Sequence, residues 1–209
     1  MLESSVLLCG LDEAGRGPLA GPVCAAAVIL SGKDTSLEFP VSILSDSKKM
    51  SPVARESAKG IILGEAAAWG IGWVSPSEID EINIHKASLL AMKRAFDFML
   101  AASGKQGNDA HGNEALELHN IHAIADGLFA PDIPVSCRPM VKADNTIPEV
   151  MAASILAKTA RDRLMEYYSI FYPQYGYEVH KGYPTKAHRE AVLRYGPSPI
   201  QRMSFRVKT

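Results

Sequence analysis

Leu11-Asp12-Glu13-Ala14-Gly15-Arg16-Gly17-Pro18-Leu19-Ala20-Gly21-Pro22 (LDEAGRGPLAGP) is the stretch from which the rest of the chain is read. The apolar run Val6-Leu7-Leu8-Cys9-Gly10-Leu11 delivers two adjacent carboxylates, Asp12 and Glu13, to a segment of small residues and glycines. On a regular strand neighbouring side chains point to opposite faces, so these two acids reach one ligand only if the strand ends beside them. Two glycines flanking Arg16 supply such an ending. Paired carboxylates next to an open backbone and a guanidinium suit a metal ion and a phosphate backbone. Taken alone, an Asp-Glu pair at a strand end is most often solvated turn chemistry. Gly10 and Gly15 have the GxxxxG spacing of a nucleotide-binding P-loop, but Arg16 and Gly17 stand where that loop needs Lys and Ser or Thr, which excludes it.

Composition bounds what surrounds this stretch. At 209 residues, with 47% hydrophobic and 22% charged residues, the chain suits one well-buried domain, with 1–172 as core and 173–209 as a C-terminal segment. Cys9, Cys24 and Cys137 are odd in number and lack metal-ligand spacing, so they read as free thiols in a reducing compartment. No apolar run approaches the ~18 residues of a membrane span, and the N-terminus lacks a signal-peptide pattern. The expectation is a cytoplasmic protein with no membrane role. The net charge of −1 argues against a non-specific nucleic-acid binder. Its distribution does not: residues 1–137 hold 10 Lys and Arg against 17 Asp and Glu, whereas 138–209 hold 12 against 6. A basic C-terminal third points to a polyanionic partner.

Taken in order, 6–12 and 23–30 read as strands of a hairpin covered on both faces. Ser51 and Pro52 open a helix running to about Ala68, and 69–74 reads as a short strand. Ser75-Pro76-Ser77-Glu78 starts another helical stretch. After a break near Asn83, a helix over 84–102 shows one apolar stripe at Ile84, Ala87, Ala91, Ala95 and Phe98. Met92 and Met99 then read as packing. Residues 103–120 read as a flexible surface insertion. His85, His111, His119 and His122 lack ligand-like spacing and read as incidental. Residues 121–125 form a strand ending on Asp126-Gly127. A second strand over 135–141, with Pro139 placing it at a sheet edge, leads to Asp144. A long helix spans about 148–172, and Thr185 caps a last helix closed by Gly196. A hairpin followed by alternating strands and helices predicts an α/β mixed sheet flanked by helices.

Further along stand Asp46-Ser47-Lys48-Lys49, Asp126-Gly127, Lys142-Ala143-Asp144, Ala152-Ala153-Ser154-Ile155-Leu156-Ala157-Lys158, Arg161-Asp162 and His180-Lys181-Gly182-Tyr183-Pro184-Thr185. Together with Asp12-Glu13-Ala14-Gly15-Arg16-Gly17-Pro18 and Gly21-Pro22, in this order, the chain resembles bacterial ribonuclease HII, the type 2 ribonuclease H family. The resemblance runs over nearly the whole chain and implies the ribonuclease H-like fold with a small C-terminal helical segment. Ala125 stands where the family commonly has Val, and Ala143 where Gly is frequent. The 103–120 insertion is longer than the family usually carries.

The resemblance implies that Asp12, Glu13, Asp126 and Asp144 form the catalytic and metal-binding set. Crowded carboxylates repel and stay partly protonated unless cations join them, and hard oxygen ligands suit Mg²⁺ or Mn²⁺ rather than zinc. The implied reaction is hydrolysis of a phosphodiester by two ions roughly 3.5–4 Å apart, leaving 5′-phosphate and 3′-hydroxyl ends. No Ser-His or Cys-His constellation competes with it. The partners implied are RNA–DNA hybrids and duplex DNA containing a ribonucleotide, the 2′-hydroxyl being what separates RNA from DNA. The family senses it through Gly15, Arg16 and Gly17, and Tyr183 stacks on the sugar. Lys48, Lys158, Arg161 and Lys181 are candidate phosphate contacts, while Asp162 reads as a structural ion pair. A monomer is expected. The nearest rival, ribonuclease HIII, carries an extra N-terminal domain and a different residue at the place of Arg16, and only eleven residues precede Asp12. A non-catalytic hybrid-binding module would lack one or more of the carboxylates.

Overall fold

A computed structural model describes residues 6–30, 40–44, 47, 50–105 and 118–206, with the side chains of 104 and 105 excepted. Five strands form one sheet: β1 (Leu7–Ala14), β2 (Val23–Ile29), β3 (Ala68–Val74), β4 (Ile121–Asp126) and β5 (Ser136–Met140), in the order β3-β2-β1-β4-β5. β1 pairs antiparallel with β2, and β2 with β3; β1–β4 and β4–β5 are parallel. The sheet is therefore mixed, as expected, and Pro139 does lie on an edge strand, where a missing N–H costs no ladder bond.

β2 is buried at every position and alternates between two layers. Val23, Ala25, Ala27 and Ile29 pack against α3 (Ile84–Lys105), with Ala87, Ala91, Met92, Ala95, Phe96 and Met99 opposite them. Cys24, Ala26 and Val28 face α1 (Pro52–Glu65) and α4 (Pro148–Phe171), meeting Ala58, Ile62, Ala152 and Ile155. Small residues on β2 bring both helix layers close to the sheet. At Gly10 the approach is tightest, because any Cβ there would collide with the α4 backbone at Glu149 and Val150. Met92 and Met99 are core, as read, and so are Ala87, Ala91 and Ala95 of the stripe, with Ile84 packed against them; only Phe98 departs from it, being 54% exposed while Phe96 is buried. The face that meets the sheet carries Ala87, Ala91 and Ala95 together with Met92, Phe96 and Met99, so the apolar series chosen from spacing is extended by Phe96 in place of Phe98.

The helix signals held. Ser51 Oγ accepts from Ala54 N at the start of α1. α2 (Pro76–Ile82) begins with a full capping box between Ser75 and Glu78, and Asn83, at φ +70°, separates it from α3. Thr185 Oγ1 accepts from His188 N at the start of α6 (Lys186–Tyr195), and Gly196 closes it. Between α4 and α6 stands the one-turn α5 (Tyr177–His180). Ala20, Met165, Tyr175, Tyr177 and Ile200 form a small core that fastens this C-terminal segment beneath the glycine loop. Beyond α6 the tail is tied to the glycine loop, since Gln201 bridges to Ala20. Cys9 and Cys24 are buried and Cys137 half-buried, all three free. No helix among the described residues is long and apolar enough to cross a membrane. Most of the 103–120 insertion, with His111, lies outside the described residues, although α3 runs into it as far as Lys105.

Candidate active site

β1 does not end at Asp12. It continues through Ala14, with Asp12 opposite Ala26, Glu13 opposite Ala25 and Ala14 opposite Cys24. The expectation that a broken strand lets both acids converge is therefore corrected, and strand alternation decides their fates. Cys9 and Leu11 face the α3 layer, which sends Gly10, Asp12 and Ala14 toward α4. The parallel register sets Leu11 beside Ala125, so the next residues, Asp12 and Asp126, lie side by side on the same face. A one-turn 3₁₀ helix, Ala143–Asn145, brings Asp144 in behind β5.

Asp12, Asp126 and Asp144 each offer a carboxylate oxygen, and these oxygens all lie within 4.8 Å of one another. Asp12 and Asp144 are buried. Asp126 Oδ1 accepts from Ala143 N at 2.8 Å, tying β4 to the turn that carries Asp144. Asn145 Nδ2 donates to Asp144 Oδ1 at 3.2 Å. Burial first, then the charge of Glu13 and, after a hydrogen bond from Ser154, that of Asp126, push the Asp12 carboxyl well above its ordinary range. Its Oδ1 also accepts from Glu13 N at 2.7 Å. Three hard oxygen donors packed this closely, with the protonated form favoured at Asp12, fit a divalent cation as their missing neutraliser.

Glu13 stands outside the set of three. Its Oε1 is 3.2 Å from Arg16 Nη1. It still borders the cluster: burial raises its pKa, Arg16 opposes that, and Asp126 adds to it. A buried hydroxyl pair missed in the sequence, Ser47 Oγ and Ser154 Oγ at 2.9 Å, backs Asp12 from the α4 side.

Beside the carboxylates runs the Gly15-Arg16-Gly17 turn. Gly15 has φ +98°, a left-handed region that side chains resist, and a Cβ there would collide with the Arg161 side chain. Arg202, which the sequence reading passed over, holds this turn in place. Fully buried, it donates from Nη2 to Gly15 O (2.6 Å), from Nη1 to Arg16 O (3.1 Å) and Pro18 O (2.9 Å), and from Nε to Gly21 O (2.8 Å). A lone arginine beyond the last helix carries no motif that would have singled it out. Arg161 does similar work: it is 1% exposed, and donates to Pro22 O, Lys181 O and Ala20 O at 2.9–3.1 Å. Its placement contradicts the expected phosphate contact, since each nitrogen of the guanidinium is committed to a carbonyl. Tyr183, 40% exposed, faces the turn, with its Cε1 3.6 Å from where a Gly17 Cβ would stand.

Lys158 and Lys181 line a groove of about 760 Å³ between α1, α4 and α5 that reaches Tyr183. Both cations are engaged there: Lys158 Nζ lies 2.7 Å from Asp162 Oδ1, and Lys181 Nζ 2.9 Å from Glu166 Oε1. Asp162 is a structural ion-pair residue as read, with Lys158 and Arg55 as its partners. Lys48 lies outside the described residues. Of the incidental histidines, His85 meets Phe129 edge-on at 4.6 Å, while His119 and His122 are exposed.

Comparison with known proteins places the chain in a family. Residues 9–208 match the family model for ribonuclease HII. A ribonuclease HII from Treponema denticola is 52% identical over 208 residues, covering 97% of this chain and 99% of the relative. One from Pelodictyon phaeoclathratiforme is 42% identical, covering 99% and 92%. Among solved structures, the ribonuclease H2 of Pyrococcus horikoshii superposes with a TM-score of 0.69 at 23% identity, over 97% of this chain and 95% of that one. A ribonuclease HIII (Bst-RNase HIII) solved in complex with Mn²⁺ superposes with a TM-score of 0.72 at 17% identity, over 98% and 68%, which speaks for the fold alone.

Proposed function

Since the chain belongs to the ribonuclease HII family, we propose that it cuts the RNA strand of RNA–DNA hybrids and nicks duplex DNA on the 5′ side of a single embedded ribonucleotide. The observation that carries this reading is the meeting of Asp12, Asp126 and Asp144 within 4.8 Å, beside a glycine turn whose carbonyls are tied inward by Arg202.

Asp12, Asp126 and Asp144 would hold the metal, with Glu13 bordering the same site. Mg²⁺ or Mn²⁺ held by these carboxylates would supply Lewis-acid chemistry, lowering the pKa of a water and offsetting charge on the scissile phosphate. The chain's own residues do the rest. Ser154, backed by Ser47, steadies Asp12 in its ionised form by donating to it. The Ala143 amide fixes Asp126 relative to Asp144. Arg202 and Arg161 hold carbonyls of the 15–22 segment from within, which leaves Arg16 and the bare backbone of Gly17 exposed to a sugar, with Gly15 buried between them and the carboxylates. Tyr183 stacks on that sugar from the facing loop. Lys48, Lys158 and Lys181 track the phosphates; for the last two this requires exchanging a carboxylate partner for a phosphate. We place the reaction in the cytoplasm, performed by a monomer.

The test is a labelled duplex with one ribonucleotide, incubated with Mg²⁺ or Mn²⁺ and read for cut position. The reading requires a single nick 5′ of the ribonucleotide. Absence of cutting, or cutting only within runs of several ribonucleotides, overturns it.

A further inference from the structure

Beneath Tyr183 lie two buried imidazoles that the proposed chemistry does not use. His180 and His188 are 8% and 0% exposed, and their rings stack with centroids 4.5 Å apart and planes 15° from parallel. Their nitrogens hold the main chain on either side of the tyrosine. His180 Nδ1 accepts from Gly182 N at 3.2 Å, and its Nε2 lies 2.8 Å from Tyr175 O. A backbone N–H only donates and a carbonyl only accepts, so His180 carries a single proton, on Nε2. His188 Nδ1 lies 3.0 Å from Tyr183 O and must donate to it, while its buried Nε2 has no hydrogen-bond partner. Burial holds both rings below the ordinary imidazole range, and a second charge 4.5 Å from the first would be costly. The loop so held is continuous with the glycine turn, because Gly182 O accepts from Leu19 N at 2.8 Å.

We propose that His180 and His188 are positioning residues, a stacked neutral pair that fixes Gly182 and Tyr183 so that the Tyr183 ring stands over Gly17 and discriminates the sugar lodged between them. This rests on the reading of Tyr183 as a substrate contact. The pair touches no substrate atom; it acts through the tyrosine. A side chain at 188 needs only one donor, aimed at Tyr183 O, which an asparagine amide also offers near the place of Nδ1.

The experiment is a double-mutant cycle, with kcat and KM measured on a duplex containing one ribonucleotide. His188→Leu is expected to lower kcat/KM about tenfold, chiefly through KM, with His188→Asn restoring it to within about twofold; in a Tyr183→Ala background the same His188→Leu change should cost less than about twofold, because coupled residues do not add. Multiplying losses in the double variant, or a folded His188→Leu enzyme with unaltered kcat/KM, overturns the proposal alone. A Tyr183→Ala enzyme with unaltered kinetics overturns the substrate role of Tyr183 and the proposal with it, which keeps the two failures distinct. Should His188→Leu fail to fold, His180→Gln serves in its place: it reaches toward Tyr175 but leaves Gly182 N–H without its acceptor, and the same non-additivity with Tyr183→Ala is required.

Discussion

Arg202→Met separates the account of the glycine turn from a generic account of a buried side chain. The methionine fills much of the same volume and removes every donor. Four carbonyls, of Gly15, Arg16, Pro18 and Gly21, then lose their partner at once. Charge-assisted bonds of about 1.5–3 kcal/mol each, summed naively, overstate the loss because the freed turn relaxes toward water. Buried carbonyls left without a donor cost about 1–3 kcal/mol each before relaxation, which places the net loss at about 3–5 kcal/mol. For a chain of this size each kcal/mol lowers the melting temperature by about 2–4 °C, so a fall of roughly 6–20 °C is expected. Arg202→Lys should recover only part of it, since an ammonium cannot span four carbonyls arranged around a planar fork. The assay pairs thermal denaturation with single-turnover cleavage of a one-ribonucleotide duplex at a temperature where the variant is folded. There, cleavage should fall by at least about tenfold, because a loosened turn misplaces the groups that meet the sugar. A folded Arg202→Met protein that melts within about 2 °C of the wild type and cuts normally would refute the reasoning.

Three further outcomes follow from the same geometry. Asp12→Asn and Asp126→Asn should abolish turnover while leaving duplex binding, read by anisotropy, largely intact; unfolding of both variants would point to structural roles instead. Metal-free Asp12→Asn should melt higher than metal-free wild type at neutral pH, because the raised Asp12 pKa means that ionising it in the fold costs stability. That difference should vanish toward roughly pH 4, where the wild-type carboxyl keeps its proton, and an inverted dependence would sink the electrostatic account. Gly15→Ala forces a side chain into φ +98° and against Arg161; strain of about 1–3 kcal/mol should appear as a lower melting point together with reduced kcat/KM, whereas wild-type behaviour in both would show the turn to be pliable.

Much of this was legible before any coordinates. Strand and helix limits came within a few residues wherever punctuation was chemical: Ser51-Pro52, Ser75 with Glu78, Asn83, Thr185 and Gly196 each act through local hydrogen bonds or backbone angles. Asp126 and Asp144 were findable because family resemblance named them; nothing in spacing joins residues on β4 and behind β5 to β1. The errors share a cause. Gly15 was read as ending β1, yet pairing with β2 carries the strand to Ala14, and alternation then separates Glu13 from Asp12. Arg161 was read as a candidate phosphate contact, but the carbonyls of Ala20, Pro22 and Lys181 converge on its guanidinium from distant parts of the chain. Arg202 acts on carbonyls more than 180 residues away in sequence, so local sequence offers no signal for it; His180 and His188 bond main chain only two to five residues away, but what each ring holds depends on the turns between α4 and α6.

The central claim is that Asp12, Asp126 and Asp144 make a metal site. Anomalous diffraction at the manganese edge from crystals grown with Mn²⁺ tests it most directly. An anomalous peak within coordination distance of all three carboxylates, absent from crystals of Asp126→Asn, is the result the account predicts. Manganese bound only elsewhere, with the three carboxylates apart, would contradict it.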